Sequence, residues 1–158
     1  MKPELDSMGT IERTPRGALV RFEREFDVPV TVLWHALTDP LGMASWLADA
    51  SIDLRVGGSV EIRFGDAPVR GTITELAHNQ VLAYSWHESR DDESHVRFEL
   101  VSDGGRSRLT VIHTRLAPES GTGFAAGWHH HLELLADLLS GTPRDWSPER
   151  FGELLARY

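Results

Sequence analysis

Three consecutive histidines, His129 to His131, are the first residues in the sequence that could ligate a metal. They fall in a stretch with helical spacing, where successive side chains point about 100° apart, so adjacent histidines cannot converge on one ion. Two pairs four residues apart, His129 with Glu133 and Glu133 with Asp137, could face one ion. The favoured interpretation is still that no metal binds, with His130 on the helix surface and the other two histidines flanking an internal pocket.

His113 is predicted to point into the protein. It alternates with Leu109 and Val111 along a predicted strand, so the three side chains share one face. A buried imidazole that is satisfied by a hydroxyl or a carbonyl is the favoured interpretation. The alternative is a pocket group that orients a ligand or exchanges a proton near neutral pH, with His131 approaching it from the helix.

Aromatic side chains recur on the faces that are predicted to be buried. Such rings form plain core packing, but they can also line a cavity for a flat or greasy ligand. For each residue alone core packing is favoured, whereas the whole set favours a cavity. The predicted ligand-binding residues are Trp46, Phe64, Tyr84, Trp86, Phe98, His113, Trp128, His131, Leu132 and Leu135.

The sequence contains no motif that convincingly indicates a cofactor or a catalytic centre. One candidate motif lies in the wrong structural context, and the others are missing. Gly121-x-Gly123-x-x-Ala126 resembles a dinucleotide fingerprint, but it follows an antiparallel strand and has no βαβ unit around it. The chain contains no GxSxG elbow, P-loop or HExxH sequence. Asp91, Asp92 and Glu93 belong to a predicted charged turn at 88–93. We therefore predict no cofactor and assign no catalytic residue.

Length and composition limit the class of protein. The 158 residues, 41% of them hydrophobic, fit one domain. A net charge of −8 without a basic stripe argues against nucleic acid as a partner. Cysteine is absent, which excludes disulfides and thiolate chemistry. The sequence has no apolar run near the ~18 residues that a membrane span needs, and no signal peptide, so a cytoplasmic protein without membrane contact is expected.

Spacing and turn signals predict the order of the elements. Residues 1–8 are expected to be a flexible lead and residues 9–158 a single domain. A hairpin turning at Pro15-Arg16-Gly17 comes first, then a helix opened by Pro29 and a second short helix capped by Asp39. Antiparallel strands follow, beginning near 51–54 and reaching His113. A long helix over 124–139 and a last short helix over 147–158 complete the prediction.

This order implies an α+β fold with a pocket. A sheet with one apolar face must be covered, and the long helix is the one element large enough to cover it. The right-handed twist of the strands curls the sheet around that helix. The two short helices then close the end that the long helix does not reach, and gaps between the rings can hold a ligand.

Several segments together resemble the Hsp90-ATPase-activator-homologue branch of the START/SRPBCC superfamily. They are VLWHALTDPLGMASWL at 32–47, RVGGSVEIRF at 55–64, VLAYSW at 81–86, SRLTVIHTRL at 107–116 and GWHHHLELLADLL at 127–139. The resemblance implies a helix-grip fold, with two short helices after the first strand and an internal cavity. In related members that cavity binds lipids, hormones or polyketide intermediates.

Three functions follow from the resemblance and stay open at the level of sequence. Binding of a small hydrophobic or aromatic molecule, to carry, sense or sequester it, ranks first. A polyketide cyclase-like or aromatase-like reaction in the same pocket ranks second, with His113, Tyr84 or His131 as the polar groups. Stimulation of the Hsp90 ATPase ranks last, because the eukaryotic activators carry an additional N-terminal domain for which this chain has no room. A homodimer is left open.

Overall fold

The computed structural model describes residues 7–88 and 93–158, so most of the predicted lead at 1–8 and the centre of the predicted charged turn at 88–93 lie outside the described residues. The strands are β1 (Thr10–Thr14), β2 (Gly17–Phe26), β3 (Asp49–Ile52), β4 (Ser59–Phe64), β5 (Ala67–Ala77), β6 (Val81–His87), β7 (Glu93–Asp103) and β8 (Arg106–Leu116). The helices are α1 (Val30–Thr38), α2 (Pro40–Trp46), α3 (Gly121–Leu139) and α4 (Pro148–Leu155).

The described strands form one antiparallel sheet in the order β1-β2-β8-β7-β6-β5-β4-β3. Consecutive strands pair with each other except β2 and β3, because β2 pairs with β8 instead and sets Val20 opposite His113. The predicted α+β helix-grip fold is confirmed. The two short helices follow the second strand rather than the first, because the chain opens with a complete hairpin whose two-residue turn is Pro15-Arg16.

The inward face of the sheet follows the alternation in the sequence. Val20, Phe22 and Phe26 of β2 are buried, as predicted. The same alternation buries His113 on β8, which is 0% exposed. On β5, a Cβ added at Gly71 would lie 1.7 Å from the Ser85 carbonyl oxygen, so the close pairing with β6 requires glycine at this position.

Helices α1 and α2 are separated only by Asp39, the predicted N-cap of α2. The Asp39 carboxylate accepts from the backbone N–H groups of Leu41 and Gly42, so Asp39 is the N-cap of α2. The Trp46 indole N–H donates back to the Ala36 carbonyl at 2.8 Å, which fixes α2 against α1. α2 also packs against β3 and α3, at one end of the sheet.

Helix α3 is longer than predicted and is covered on two sides. It begins at Gly121 rather than residue 124, because a 3-10 turn at Pro118–Ser120 leads directly into it. Trp128, Leu132 and Leu135 face the core, as predicted. Leu134 is buried as well, and α4 packs along α3.

Candidate functional site

A pocket of about 810 Å³ opens between the N-terminal half of α3 and the β3–β4 end of the sheet. Its walls come from four parts of the chain: the link between α2 and β3, the sheet with its turns, α3 with the turn before it, and the segment 146–155 that contains α4, called here the C-terminal segment. The lining residues are Leu47, Ala48, Asp49, Arg63, Phe64, Gly65, Trp86, Glu88, Glu119, Ser120, Gly123, Phe124, Gly127, Trp128, His131, Trp146 and Phe151.

Two glycines on one face of α3 make room for this pocket. Gly123 and Gly127 are one turn apart, and a Cβ added to either would meet no atom within 4 Å. Glycine inside a helix costs roughly 1 kcal/mol relative to alanine, so the chain gives up helix stability along this face. The missing side chains leave empty space that a ligand can occupy.

Aromatic rings form a continuous wall around that space. The Trp86 ring centroid lies 6.0 Å from that of Phe64, 6.4 Å from that of Phe124 and 5.6 Å from that of Trp128. Trp146 closes the wall from the C-terminal segment and is 38% exposed. Such a surface favours flat or apolar molecules, because stacking and edge contacts with rings are available on several sides.

His131 is the polar group of the aromatic wall. Its Nδ1 lies 3.0 Å from the Trp46 carbonyl oxygen, which can only accept, so Nδ1 carries the proton. Nε2 of the neutral ring is then an acceptor, on a side chain that lines the pocket. Burial lowers the pKa of His131 to about 4, although the hydrogen bond to the Trp46 carbonyl acts to raise that pKa. The imidazole is therefore neutral at physiological pH.

His113 lies behind the wall and supports it. The Trp128 indole N–H donates to Nδ1 at 3.0 Å, which leaves the proton on Nε2. Nε2 donates to Ser94 Oγ at 2.7 Å, and the Ser94 hydroxyl donates to the Trp86 carbonyl at 3.2 Å. Burial lowers the pKa of His113 to about 3. Both ring nitrogens are engaged, as the prediction of a satisfied core histidine requires.

Charged side chains surround the mouth of the pocket. The lining carries three carboxylates, Asp49, Glu88 and Glu119, and one guanidinium, Arg63, for a formal net charge of −2. Arg63 Nε lies 3.1 Å from Asp49, and Nη1 lies 2.8 Å from the carboxylate of Glu61. The mouth is therefore acidic, and its guanidinium is already shared between two carboxylates.

A polar network holds the C-terminal segment against α3. The Ser147 backbone N–H donates to His130 Nε2 at 2.9 Å, and His130 Nδ1 donates to Glu133 at 3.0 Å. Arg150 Nη2 contacts the same carboxylate at 2.6 Å. Burial raises the pKa of Glu133, but the hydrogen bonds from Arg150 and His130 outweigh it and leave that pKa below its ordinary value.

Replacing Arg150 with methionine is expected to loosen the C-terminal segment. The half-buried Glu133 would lose its strongest partner, at a cost of about 1–2 kcal/mol, which corresponds to a Tm lower by roughly 3–6 °C. Differential scanning fluorimetry measures this shift. Arg144→Met is the matched control, because it removes a more exposed ion pair with Asp137. Equal Tm values for the two variants would contradict the assigned role of Arg150.

The histidine run is divided among three environments, which corrects part of the prediction. His130 is 1% exposed and not on the surface, because the C-terminal segment covers that face of α3. His129 does not line the pocket; its Nδ1 lies 2.8 Å from the Tyr158 hydroxyl oxygen. His131 does line it. Among the described residues, no group of three or more His, Cys, Asp or Glu side chains is placed to hold a metal ion.

Four of the ten predicted ligand-binding residues line the pocket. They are Phe64, Trp86, Trp128 and His131. The other six lie behind its walls, where they pack against the lining rings or form the core. These are Trp46, Tyr84, Phe98, His113, Leu132 and Leu135, each no more than 2% exposed. The assignment of ligand contacts stays a prediction for all ten.

Other lining residues were not singled out in the sequence. Gly123 and Gly127 gave a usable signal, since two glycines four residues apart inside an apolar helix indicate a face without side chains. No sequence pattern indicated that Trp146 and Phe151 line the pocket, because their position depends on how the C-terminal segment docks. Arg63, Glu88 and Glu119 follow ordinary alternation or turn patterns.

Comparison of the fold with solved structures gives the class of protein. The crystal structure of CalU16 from Micromonospora echinospora has a TM-score of 0.80 and 23% identity, covering 95% of this chain and 94% of that one. MLL2253 from Mesorhizobium loti has a TM-score of 0.72 and 26% identity over 80% and 99%. DynU16, from the dynemicin biosynthetic locus, has a TM-score of 0.73 and 26% identity over 82% and 51%. These likenesses place the chain among helix-grip proteins.

The family follows from the sequence match. The model described as "Activator of Hsp90 ATPase homolog 1-like protein" matches residues 27–140, more than half of the chain. The chain belongs to this family, as its ordered segments predicted. The comparison with curated proteins found no match. In the part of the chain that the structure describes, no helix is both long and apolar enough to cross a membrane.

Proposed function

We propose that this protein binds a small apolar or aromatic molecule in the pocket between the sheet and α3, and so carries, senses or sequesters it. The observation that carries the proposal is the aromatic pocket of about 810 Å³ on the glycine face of α3. Ligand sites commonly measure about 300–1,000 Å³ and combine apolar walls with a few polar groups. Here Phe64, Trp86 and Trp128 supply the walls and His131 a polar group.

Binding ranks above catalysis because two polar residues considered for a cyclase-like reaction are poorly suited to proton transfer. His113 has both nitrogens engaged and a pKa of about 3. Tyr84 is buried, which raises the pKa of its hydroxyl well above the ordinary value. His131 faces the pocket as a neutral acceptor, which is sufficient to orient a ligand.

The relatives favour a small molecule as the occupant. DynU16 is described as a protein of a biosynthetic locus, and such loci make small molecules. We also propose that residues 9–158 act as one domain in the cytoplasm. One core cluster, with residues of both the first hairpin and α3 and with Tyr158 packed against it, supports this unit.

Binding of N-phenyl-1-naphthylamine, an uncharged fluorescent aromatic, tests the proposal. The probe is expected to saturate one site, to quench the emission of the tryptophans in the wall, and to raise the Tm. At a free concentration of 100 times Kd the stabilisation is about 2.7 kcal/mol. A protein that shows neither saturable binding nor a Tm shift, with this probe or with a panel of fatty acids and polycyclic aromatics, would contradict the proposed function.

A further inference from the structure

Three polar side chains of the aromatic wall, those of Trp86, Trp128 and His131, have their N–H groups already engaged, which restricts the ligand. Two indole N–H groups of the wall are already used: Trp86 donates to Glu88 at 3.1 Å and Trp128 donates to His113 at 3.0 Å. His131 presents the lone pair of Nε2, since its Nδ1 proton is held by the Trp46 carbonyl. A ligand therefore gains a hydrogen bond at His131 by donating it.

The mouth adds negative charge to this acceptor. Glu88 and Glu119 are exposed carboxylates that line the pocket, one after β6 and one in the turn before α3. Asp49 is balanced by Arg63, and Arg63 also bonds Glu61 and the Ser51 hydroxyl. Among the described lining residues, no cation is left without a carboxylate partner. An anionic ligand would meet repulsion here, whereas a cation would be attracted.

Aromatic rings complete the environment that an ammonium group prefers. Faces of Trp, Tyr and Phe attract cations through the ring quadrupole, and the effect grows when the cation is partly removed from water. The Trp86 indole N–H donates to Glu88, so the edge of an aromatic ring and a carboxylate are close together at one point of the pocket. Phe124, Trp146 and Phe151 place further rings around the same space.

We infer that the natural ligand is an aromatic or apolar amine, bound with its rings in the pocket and its ammonium group at the acidic mouth formed by Glu88 and Glu119. This inference rests on the proposed function and specifies its ligand class. It follows from the acceptor on His131, the net negative lining and the rings that surround the opening. A neutral aromatic of the same shape binds more weakly, and an aromatic carboxylate binds weakest.

Three probes with one ring system test the inference: 1-naphthylmethylamine, 1-naphthalenemethanol and 1-naphthoic acid, titrated at pH 7 by calorimetry or tryptophan quenching. The amine is expected to bind at least tenfold more tightly than the alcohol, and the acid more weakly than the alcohol. Raising the salt to 0.5 M is expected to shrink the preference, since exposed charges are screened within a few ångströms at that ionic strength.

Single variants identify the carboxylates that cause the preference for the amine over the alcohol. Glu88→Gln and Glu119→Gln are each expected to reduce the amine-to-alcohol ratio about threefold. Glu12→Gln on β1, an exposed carboxylate that does not line the pocket, is the control and is expected to leave the ratio unchanged. Equal binding of amine and alcohol overturns the amine inference and leaves the proposed function standing. If none of the three probes binds, the amine inference fails, and the proposed function fails with it only when N-phenyl-1-naphthylamine and the panel also show no binding.

Discussion

Lowering the pH from 7 to 5 is expected to cost the protein about 2 kcal/mol of folding free energy through His113 alone. Burial holds the pKa of this imidazole near 3, whereas an unfolded histidine titrates near 6.5. Between these values the unfolded chain binds a proton that the folded protein does not, so stability falls as the pH falls below about 6.5. The pKa of His131 is lowered as well and acts in the same direction.

Urea denaturation at pH 7, 6 and 5 measures this effect, with His113→Gln as the matched variant. Glutamine keeps a hydrogen-bonding group in the space next to Trp128 but does not titrate. We expect this variant to be less stable at pH 7, because it satisfies Trp128 and Ser94 less well, and to lose about 2 kcal/mol less between pH 7 and pH 5. Parallel pH profiles for the two proteins would show that His113 is not a buried neutral imidazole.

Replacing Gly127 with leucine is expected to weaken binding of N-phenyl-1-naphthylamine at least tenfold while stabilising the fold. A side chain at this position enters open space, so it occupies volume that a ligand would use. Leucine also favours the helix by up to about 1 kcal/mol over glycine. Loss of binding together with a higher Tm separates a blocked pocket from a damaged fold. Gly127→Ala is expected to stabilise α3 with a much smaller effect on binding.

Gly152→Leu is the control for this substitution. Gly152 is also helical, and a Cβ added there meets no atom within 4 Å, but it lies on α4 and does not line the pocket. It is expected to change the Tm and leave probe binding as in the unmodified protein. If Gly127→Leu binds the probe as tightly as Gly152→Leu does, the ligand does not use the glycine face of α3.

Most of the fold could be predicted because its elements have strong local patterns. Period-two alternation placed Val20, Phe22 and His113 on the inward face, and the Asp39-Pro40 pair marked the start of α2. The early start of α3 could not be predicted in the same way. Glycine and threonine at 121–123 are weak helix formers, and the preceding 3-10 turn compensates for them in the folded chain.

The candidate site was predictable only in part, because a pocket is empty space between secondary-structure elements and sequence patterns show only which residues are buried. Sequence patterns identify buried rings, but they do not separate a ring on the wall, such as Trp86, from one behind it, such as Phe98. His130 shows the same limit: its helix face looks polar, yet a segment 17 residues further along covers it through the Ser147 N–H. Contacts between a helix face and a distant segment leave no periodic pattern in the sequence.

The C-terminal segment gives the pocket a part that can change independently of the rest. The family model ends at residue 140, while Trp146 and Phe151 close the wall from beyond it. Trp86 and Trp128 belong to both the pocket wall and the core, so substituting them alters the pocket and the fold together. Substituting Trp146 or Phe151 alters the wall without touching a strand. Exchanging these two side chains is therefore expected to change the shape of the pocket while the sheet keeps its strand pairing.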